Sequence, residues 1–331
     1  MNLKVEFWDV GQGDASVVTL PDGRLIIIDT GPPDSPLQHW LATTNKRIYA
    51  IVLTHHHEDH VGALIPILEH CRGRIEFVFF SQSSHGSDPY ERKILGAIFR
   101  GAARGDFSAK PLQVSAPAVQ PIFGRRDEDD IAIYCCYPDA MAFIQNQIRK
   151  APQPNKVSAI ICLDINSNTE VVWPGDAPMQ TVGKICRGKQ PTVLVGPHHG
   201  GPEIRGAKSY LPSFGDIDPA CVFVSVGTDN SYQHPLKHDF VLPHVSRKRH
   251  LCCTQLKHCD RQRVERRQSV MTHHLAMGLA PPTNSSAVTC RGPMQLTWNS
   301  TTGSWTWDQW HAIHRERIEE LNDPWCLAEK S

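Results

Sequence analysis

The amino-acid sequence predicts a layered α/β fold, and two features carry the prediction. Apolar runs of strand length alternate with segments of helical periodicity, and four of those runs stop at residues able to bind a metal ion. In chain order, the apolar run 24–28 ends at Asp29-Thr30-Gly31, and residues 37–43 read as a helix. The run 48–53 ends in a histidine-rich loop, followed by a helix at 61–70, a strand at 75–80 and a helix at 91–103. An acidic turn at 127–130 precedes a strand at 131–137. Residues 157–163 are expected to pair with 170–173 through the turn Asn166-Ser167-Asn168. The strand entering at Val193 closes on Gly196-Pro197-His198-His199. The two halves of the chain are expected to supply one sheet each.

The most informative stretch is Thr54-His55-His56-His57-Glu58-Asp59-His60, an H-x-H-x-D-H pattern placed directly after a buried strand. Imidazole nitrogens and a carboxylate this close together in a loop can converge on a cation, and loops on a rigid scaffold are where reactive groups usually sit. Asp29, Asp176 (in Trp173-Pro174-Gly175-Asp176) and the pair His198-His199 also stand at strand ends, so four strands deliver candidate ligands to one edge.

This ordered set resembles the metallo-β-lactamase superfamily, which implies a four-layer αββα sandwich holding one or two metal ions at its edge. The phrase Asp9-Val10-Gly11-Gln12-Gly13-Asp14 narrows the resemblance. So do Gly175-Asp176-Ala177, Pro197-His198-His199-Gly200, and the segment running from Val224-Ser225-Val226-Gly227 to Tyr232-Gln233-His234-Pro235. Together they are similar to the carboxy-terminal hydrolase domain of the ComEC competence family, over residues 3 to 254. The resemblance implies two divalent ions, Zn or Mn. His55 and His57 would hold the first, Asp59, His60 and His199 the second, and Asp176 would bridge them. The ligand position that usually holds a histidine between the cluster and the bridging aspartate has no persuasive occupant, since His70 falls in a predicted helix and His85 is too close to the cluster. Asp29 is expected to orient a ligand imidazole, and Asp14 to approach the site from its glycine turn. Asp59, His198 and His234 are the candidate catalytic groups.

Composition narrows the setting. Lys plus Arg and Asp plus Glu balance at 34 each, so no global field favours a polyanionic partner. No run approaches the roughly twenty apolar residues of a membrane helix. Residues 1–7 lack the features of a secretory signal, and many of the 11 cysteines sit in apolar strands, as buried thiols in a reducing compartment do. These features give the expectation of a cytoplasmic protein with no membrane contact.

The expected division is a hydrolase domain at 1–255 and a small Cys/His-containing appendage at 256–331. Around the boundary, residues 247–267 carry eight Lys or Arg, a candidate phosphate-binding segment. Cys253, Cys259 and Cys290, with His258, are candidates for a structural zinc site. Cys252 and Cys253 lie in an expected strand at 250–254, so only one of the two can face a shared ligand. Residues 297–307 read as a hairpin and 313–321 as a closing helix. The functional expectation is a metal-dependent phosphodiesterase, a nuclease acting on DNA as the resemblance implies, with a co-encoded protein as a candidate partner. Hydrolysis of a small phosphoester or lactone is the alternative, and a metal-stabilised partner-binding protein is the reading from a different class.

Overall fold

The computed structural model describes residues 2–81, 88–114, 119–126, 128–149, 152–201, 217–227, 232, 234–235, 240, 250–255 and 292–308. Strands β1 (Asn2–Phe7), β2 (Ala15–Thr19), β3 (Leu25–Thr30), β4 (Ile48–Leu53), β5 (Ile75–Phe80) and β6 (Ser108–Pro111) build one sheet in sequence order. Strands β7 (Gln120–Phe123), β8 (Ile131–Tyr137), β9 (Ile160–Ile165), β10 (Asn168–Trp173), β11 (Val193–Val195), β12 (Cys221–Val224) and β13 (His250–Cys253) build the second. The chain then returns to the first sheet. β14 (Met294–Asn299) pairs antiparallel with β1, and β15 (Ser304–Trp307) pairs with β14.

That return revises two expectations. The halves of the chain do not each supply one whole sheet, and residues 294–307 of the expected appendage complete the first sheet of the sandwich. The alternation in Met294-Gln295-Leu296-Thr297-Trp298 explains why: Met294, Leu296 and Trp298 are buried between the sheets while the residues between them are partly exposed. The helix expected at 313–321 and most of the basic segment 247–267 lie outside the described residues.

Strands β3 and β4 are apolar on both faces because both faces are covered. Ile26 and Ile28 point into the core between the sheets, with Ala50 and Val52 beside them. Leu25 and Ile27 point the other way, under α1 (Pro36–Thr43), α3 (Leu64–His70) and α4 (Pro89–Ala103). The outer face of the second sheet is covered similarly by α6 (Met179–Ile185), whose Met179 and Val182 pack on Cys162, Val172 and Leu194. Three apolar layers therefore separate four structural ones, an αββα sandwich. Phe7 of the first sheet meets Phe223 and Trp173 of the second, with ring centroids 5.1 and 6.1 Å apart, which locks the sheets together.

Local sequence sets the element ends. α4 begins two residues before the expected start because Asp88 accepts from the amides of Tyr90 and Glu91, and Pro89 occupies the first turn. The helix expected at 61–70 divides into a single turn, α2 (Glu58–Val61), and α3. The strand expected from 157 starts at Ile160, because Pro154–Val157 forms a short 3-10 turn. Among the described residues, no helix is long and apolar enough to cross a membrane.

Candidate metal centre

The sandwich brings the carboxyl ends of β3, β4, β10 and β11 to one edge, where the turns leaving them carry Asp29, His55 to His60, Asp176 and His198-His199. Asp176 lies at the middle with its two oxygens facing opposite ways. Oδ1 is 3.0 Å from His60 Nε2 and 3.6 Å from His199 Nε2. Oδ2 is 3.4 Å from His55 Nε2, 3.6 Å from His198 Nε2 and 3.9 Å from His57 Nδ1. The first group closes on itself, since His60 Nε2 and His199 Nε2 are 3.2 Å apart and Asp59 Oδ2 is 3.3 Å from His199 Nε2.

These separations fit divalent cations. Nitrogen and oxygen ligands held about 2.0–2.1 Å from a tetrahedral ion lie about 3.3 Å from one another. The two facing Nε2 atoms, which cannot both donate to each other, fall at that spacing. His55 Nε2 and His199 Nδ1 are buried with no hydrogen-bond partner among the described residues, an expensive state for polar atoms that serve packing alone. The donors are imidazole and carboxylate throughout, which suits zinc and also harder ions such as manganese.

A supporting layer aims these groups. Asp29 Oδ2 is 2.8 Å from His60 Nδ1, which turns Nε2 of that ring toward Asp176. Asp29 also accepts from the amide and hydroxyl of Thr54, at 2.8 and 2.7 Å, and takes up a left-handed backbone with φ 55°. Asp14 reaches the same side, 3.6 Å from His199 Nδ1 and 4.0 Å from His60 Nδ1. Its loop is clamped in place: the Asp14 amide donates to the Asp59 carbonyl, and a Cβ on Gly13 would stand 2.2 Å from that oxygen. Asp9 Oδ1 accepts from the Gly11 amide and from Gln255 Nε2, tying the loop to the end of the second sheet. The glycine-rich phrase therefore does packing work as well as presenting Asp14.

His198 and His199 both adopt left-handed backbones, φ 50° and 52°, an arrangement that persists only when the surroundings hold it. The His198 amide donates to the Gly175 carbonyl, and Gly201 turns the chain away where a Cβ would collide with the His234 ring. This sends His199 into the buried group and leaves His198 on the cleft wall, a quarter exposed. His234 stands beside it, with ring centroids 5.1 Å apart.

Charge is concentrated here. Burial opposes a proton on His60, yet Asp176, Asp29 and Asp59 raise it well above the usual histidine range. His199 is likewise raised to about 10, burial being outweighed by Asp14, Asp59 and Asp176. Burial alone pushes Asp176 and Asp59 up, but the imidazoles around them hold both carboxyls well below the usual range. His55, deep in the protein, is pushed down to about 3 by burial. Such a set of mutually compensating charges is what a cation site presents when protons stand in for the ion.

All of the expected residues around the histidine cluster come together: His55, His57, Asp59, His60, Asp176, His198, His199, Asp14, Asp29 and His234. His56 turns away and faces Glu91 of α4, 3.4 Å off. Ser158 and Asn155 were not anticipated. Ser158 Oγ accepts from the Asp176 amide at 3.0 Å and lies 3.4 Å from His55 Nδ1, and Asn155 Nδ2 is 3.3 Å from His198 Nε2. Pro154 at the start of the 3-10 turn was the available signal. Ser158 stands behind His55, while His198 reaches the same Asp176 oxygen as His55. Of the expected zinc ligands, His258, Cys259 and Cys290 lie outside the described residues. Cys253 packs toward the outer, helix-covered face, and it is Cys252 that faces inward.

Comparison with known proteins finds partial likenesses. Residues 8–75 match the family model of the metallo-beta-lactamase superfamily. A hydroxyacylglutathione hydrolase from Idiomarina loihiensis is 37% identical over 54 residues, 16% of this chain and 21% of that protein, so the chain spans about a fifth of the curated relative it matches. Similar solved structures include a metallo hydrolase from the archaeon Ignicoccus hospitalis, at 18% identity and TM-score 0.47, covering 77% of this chain and 95% of that one. The short form of human tRNase Z is also similar, at 15% identity and TM-score 0.36, covering 58% and 76%. The matched segment 8–75 of the metallo-beta-lactamase superfamily model carries Asp14, Asp29 and the cluster from His55 to His60.

Proposed function

We propose that the protein is a metal-dependent phosphodiesterase that cleaves nucleic acid, with DNA as its substrate. The observation that carries the reading is the Asp176 carboxylate, which presents one oxygen to each of two imidazole groups at the floor of an open cleft. His55, His57 and Asp176 Oδ2 would hold one divalent ion, and His60, His199, Asp59 and Asp176 Oδ1 the other. When bound, such a pair supplies Lewis acidity toward a phosphoryl oxygen and an activated water near neutral pH.

The chain's own groups do the rest. Asp29 fixes the His60 ring, and Ser158 and Thr54 fix His55. His198, backed by Asn155, and His234 line the cleft where a leaving oxygen must be protonated, and either can donate or orient that proton. The cleft has a volume of about 430 Å³ and mixes polar side chains such as Gln12, Asp59, Asn155 and His234 with the apolar surfaces of Pro32, Pro33 and Tyr232. Tyr232 at its rim is 66% exposed, a surface on which a base can stack. A cleft open to solvent suits a strand passing through better than a closed pocket would.

One observation favours a smaller substrate. No Lys or Arg is among the described residues lining the cleft, whereas polymer binding normally draws on phosphate contacts from basic side chains. A small phosphodiester or lactone is therefore the second reading. The deciding experiment offers single-stranded DNA, double-stranded DNA and a chromogenic phosphodiester to the purified protein with manganese, zinc or chelator, with Asp59→Ala and His60→Ala in parallel. Metal-dependent DNA cleavage lost in both variants supports the nuclease. Turnover of the small ester alone moves the assignment to the second reading, and metal binding without turnover of any substrate leaves the partner-binding class.

A further inference from the structure

A second cluster of metal-ligating side chains lies away from the cleft. Strands β12 and β13 pair in parallel with Cys221 opposite His250 and Phe223 opposite Cys252. Residues two apart on a strand share a face, so Cys221, His250 and Cys252 project from the same side of the pair. Cys252 Sγ is 3.7 Å from Cys221 Sγ and 3.5 Å from His250 Nε2, and the three donor atoms all lie within 4.8 Å of one another. Both thiols are fully buried in the core between the sheets, and His250 is half-buried. The cluster sits at the amino ends of β12 and β13, whereas the His/Asp centre lies beyond the carboxyl ends of β10 and β11.

We propose that Cys221, His250 and Cys252 form a structural zinc site between β12 and β13, separate from the hydrolytic centre. The separations carry the proposal. Sulfur held about 2.3 Å and nitrogen about 2.05 Å from a tetrahedral zinc ion give a sulfur to sulfur edge of about 3.8 Å and a sulfur to nitrogen edge of about 3.6 Å. The two separations at Cys252, 3.7 Å to Cys221 Sγ and 3.5 Å to His250 Nε2, fall at those edges, and 3.7 Å is far too long for a disulfide, whose sulfurs lie about 2.05 Å apart. Two cysteines could lie side by side as small apolar groups. An imidazole nitrogen aimed at one of them adds a polar donor that an apolar layer does not need.

Binding is written as Zn2+ plus two thiols and one neutral imidazole giving the complex and two protons released to solvent, with no redox change. The fourth position is open to water or to one further donor. A bound ion would join β13 to β12 at a point where their ladder begins, so that strand order at this edge of the second sheet is set by coordination as well as by hydrogen bonds. With both thiols fully buried, the ion would be held inside the sandwich rather than presented to a substrate, which makes the role structural.

Cobalt substitution tests this with a signal the hydrolytic centre cannot give. Only thiolate ligands produce the intense near-ultraviolet sulfur-to-cobalt charge-transfer absorption, and the His/Asp centre has none. The metal-stripped full chain titrated with Co2+ is expected to develop that absorption to one equivalent and to lose it when Zn2+ is added. Cys221→Ser and Cys252→Ser are each expected to weaken or abolish the band, and His250→Asn to lower cobalt affinity at least tenfold. His60→Ala, which disables the hydrolytic centre, should keep it, as should Cys162→Ser in the separate thiol group on the outer face of the second sheet. Absence of the band in the unmodified protein at saturating cobalt would overturn the proposal even if every serine variant failed to fold. So would a band of undiminished intensity in folded Cys221→Ser, or one lost in Cys162→Ser.

Discussion

The two flanks of the His/Asp centre are built differently. On the flank carried by the first sheet, side chains are fixed by hydrogen bonds: Asp29 alone holds the Thr54 amide, the Thr54 hydroxyl and His60. On the flank carried by the second sheet, position is set by backbone shape, through two consecutive left-handed histidines and the close approach of Gly201 to His234. The first flank buries His60 completely, while the turn of the second sends His199 inward and leaves His198 a quarter exposed beside the cleft. Hydrogen-bonded, buried groups suit fixed coordination. Groups held by a shaped turn at the solvent edge suit contact with a substrate that must come and go. Asp176, on the second sheet but facing both flanks, is where the two designs meet.

Removing that junction should have the largest effect. We predict that Asp176→Ala lowers hydrolysis at least about a thousandfold and releases metal from both groups, because each loses a charged donor in a buried site. Metal content by mass spectrometry checks it; retention of one full equivalent would show that the two groups hold ions independently. Next, His198→Ala is expected to lower kcat about a hundredfold with metal content unchanged, the size of a lost general acid. Loss of an equivalent of metal instead would place His198 among the ligands and erase the contrast between the flanks.

A smaller effect belongs to Asp29. Asp29→Asn should weaken metal binding about 10- to 100-fold, the usual result of removing the carboxylate behind a ligand imidazole. Competition with a chromophoric chelator measures it, and unchanged affinity would mean that Asp29 serves the fold alone. The smallest effect concerns stability. Burial pushes Asp9 up to about 6, against hydrogen bonds from Gln255 and the Gly11 amide that lower it. An unfolded aspartate titrates near 4, so the folded chain holds this proton more tightly. The stability that Asp9 contributes is therefore full below about pH 4 and is lost as pH rises through about 6, roughly 3 kcal/mol in all. Asp9→Asn removes that loss, so the melting temperature of the variant relative to the parent should climb by a few degrees between pH 4 and 7. A constant difference across that range would show that Asp9 is not buried as a proton carrier.

Much of the centre could be read before any fold was known, because its chemistry is local. Four of its donors, His55, His57, Asp59 and His60, fall within six consecutive residues, and Asp29, Asp176 and His199 each follow an apolar run that can only be a buried strand. Ser158 and Asn155 escaped notice because serine and asparagine are common loop residues. Only the 3-10 turn after Pro154 and the pairing of β9 carry them to the site. His56 shows the same limit from the other side. It is indistinguishable from its neighbours in the sequence, yet the turn points it at Glu91.

Residue identity thus set which groups could bind a cation and which runs had to be buried, since both follow from side-chain chemistry and from periodicity along a few residues. Which oxygen of Asp176 serves which imidazoles depended on contacts between residues more than a hundred positions apart. The return of β14 and β15 to the first sheet did so too, and the facing of Cys252 rather than Cys253 toward Cys221 depended on the pairing of β12 with β13 across 31 positions. No local pattern encodes such partners, because strand order and the packing of one sheet on the other are settled by the burial of the whole apolar surface at once.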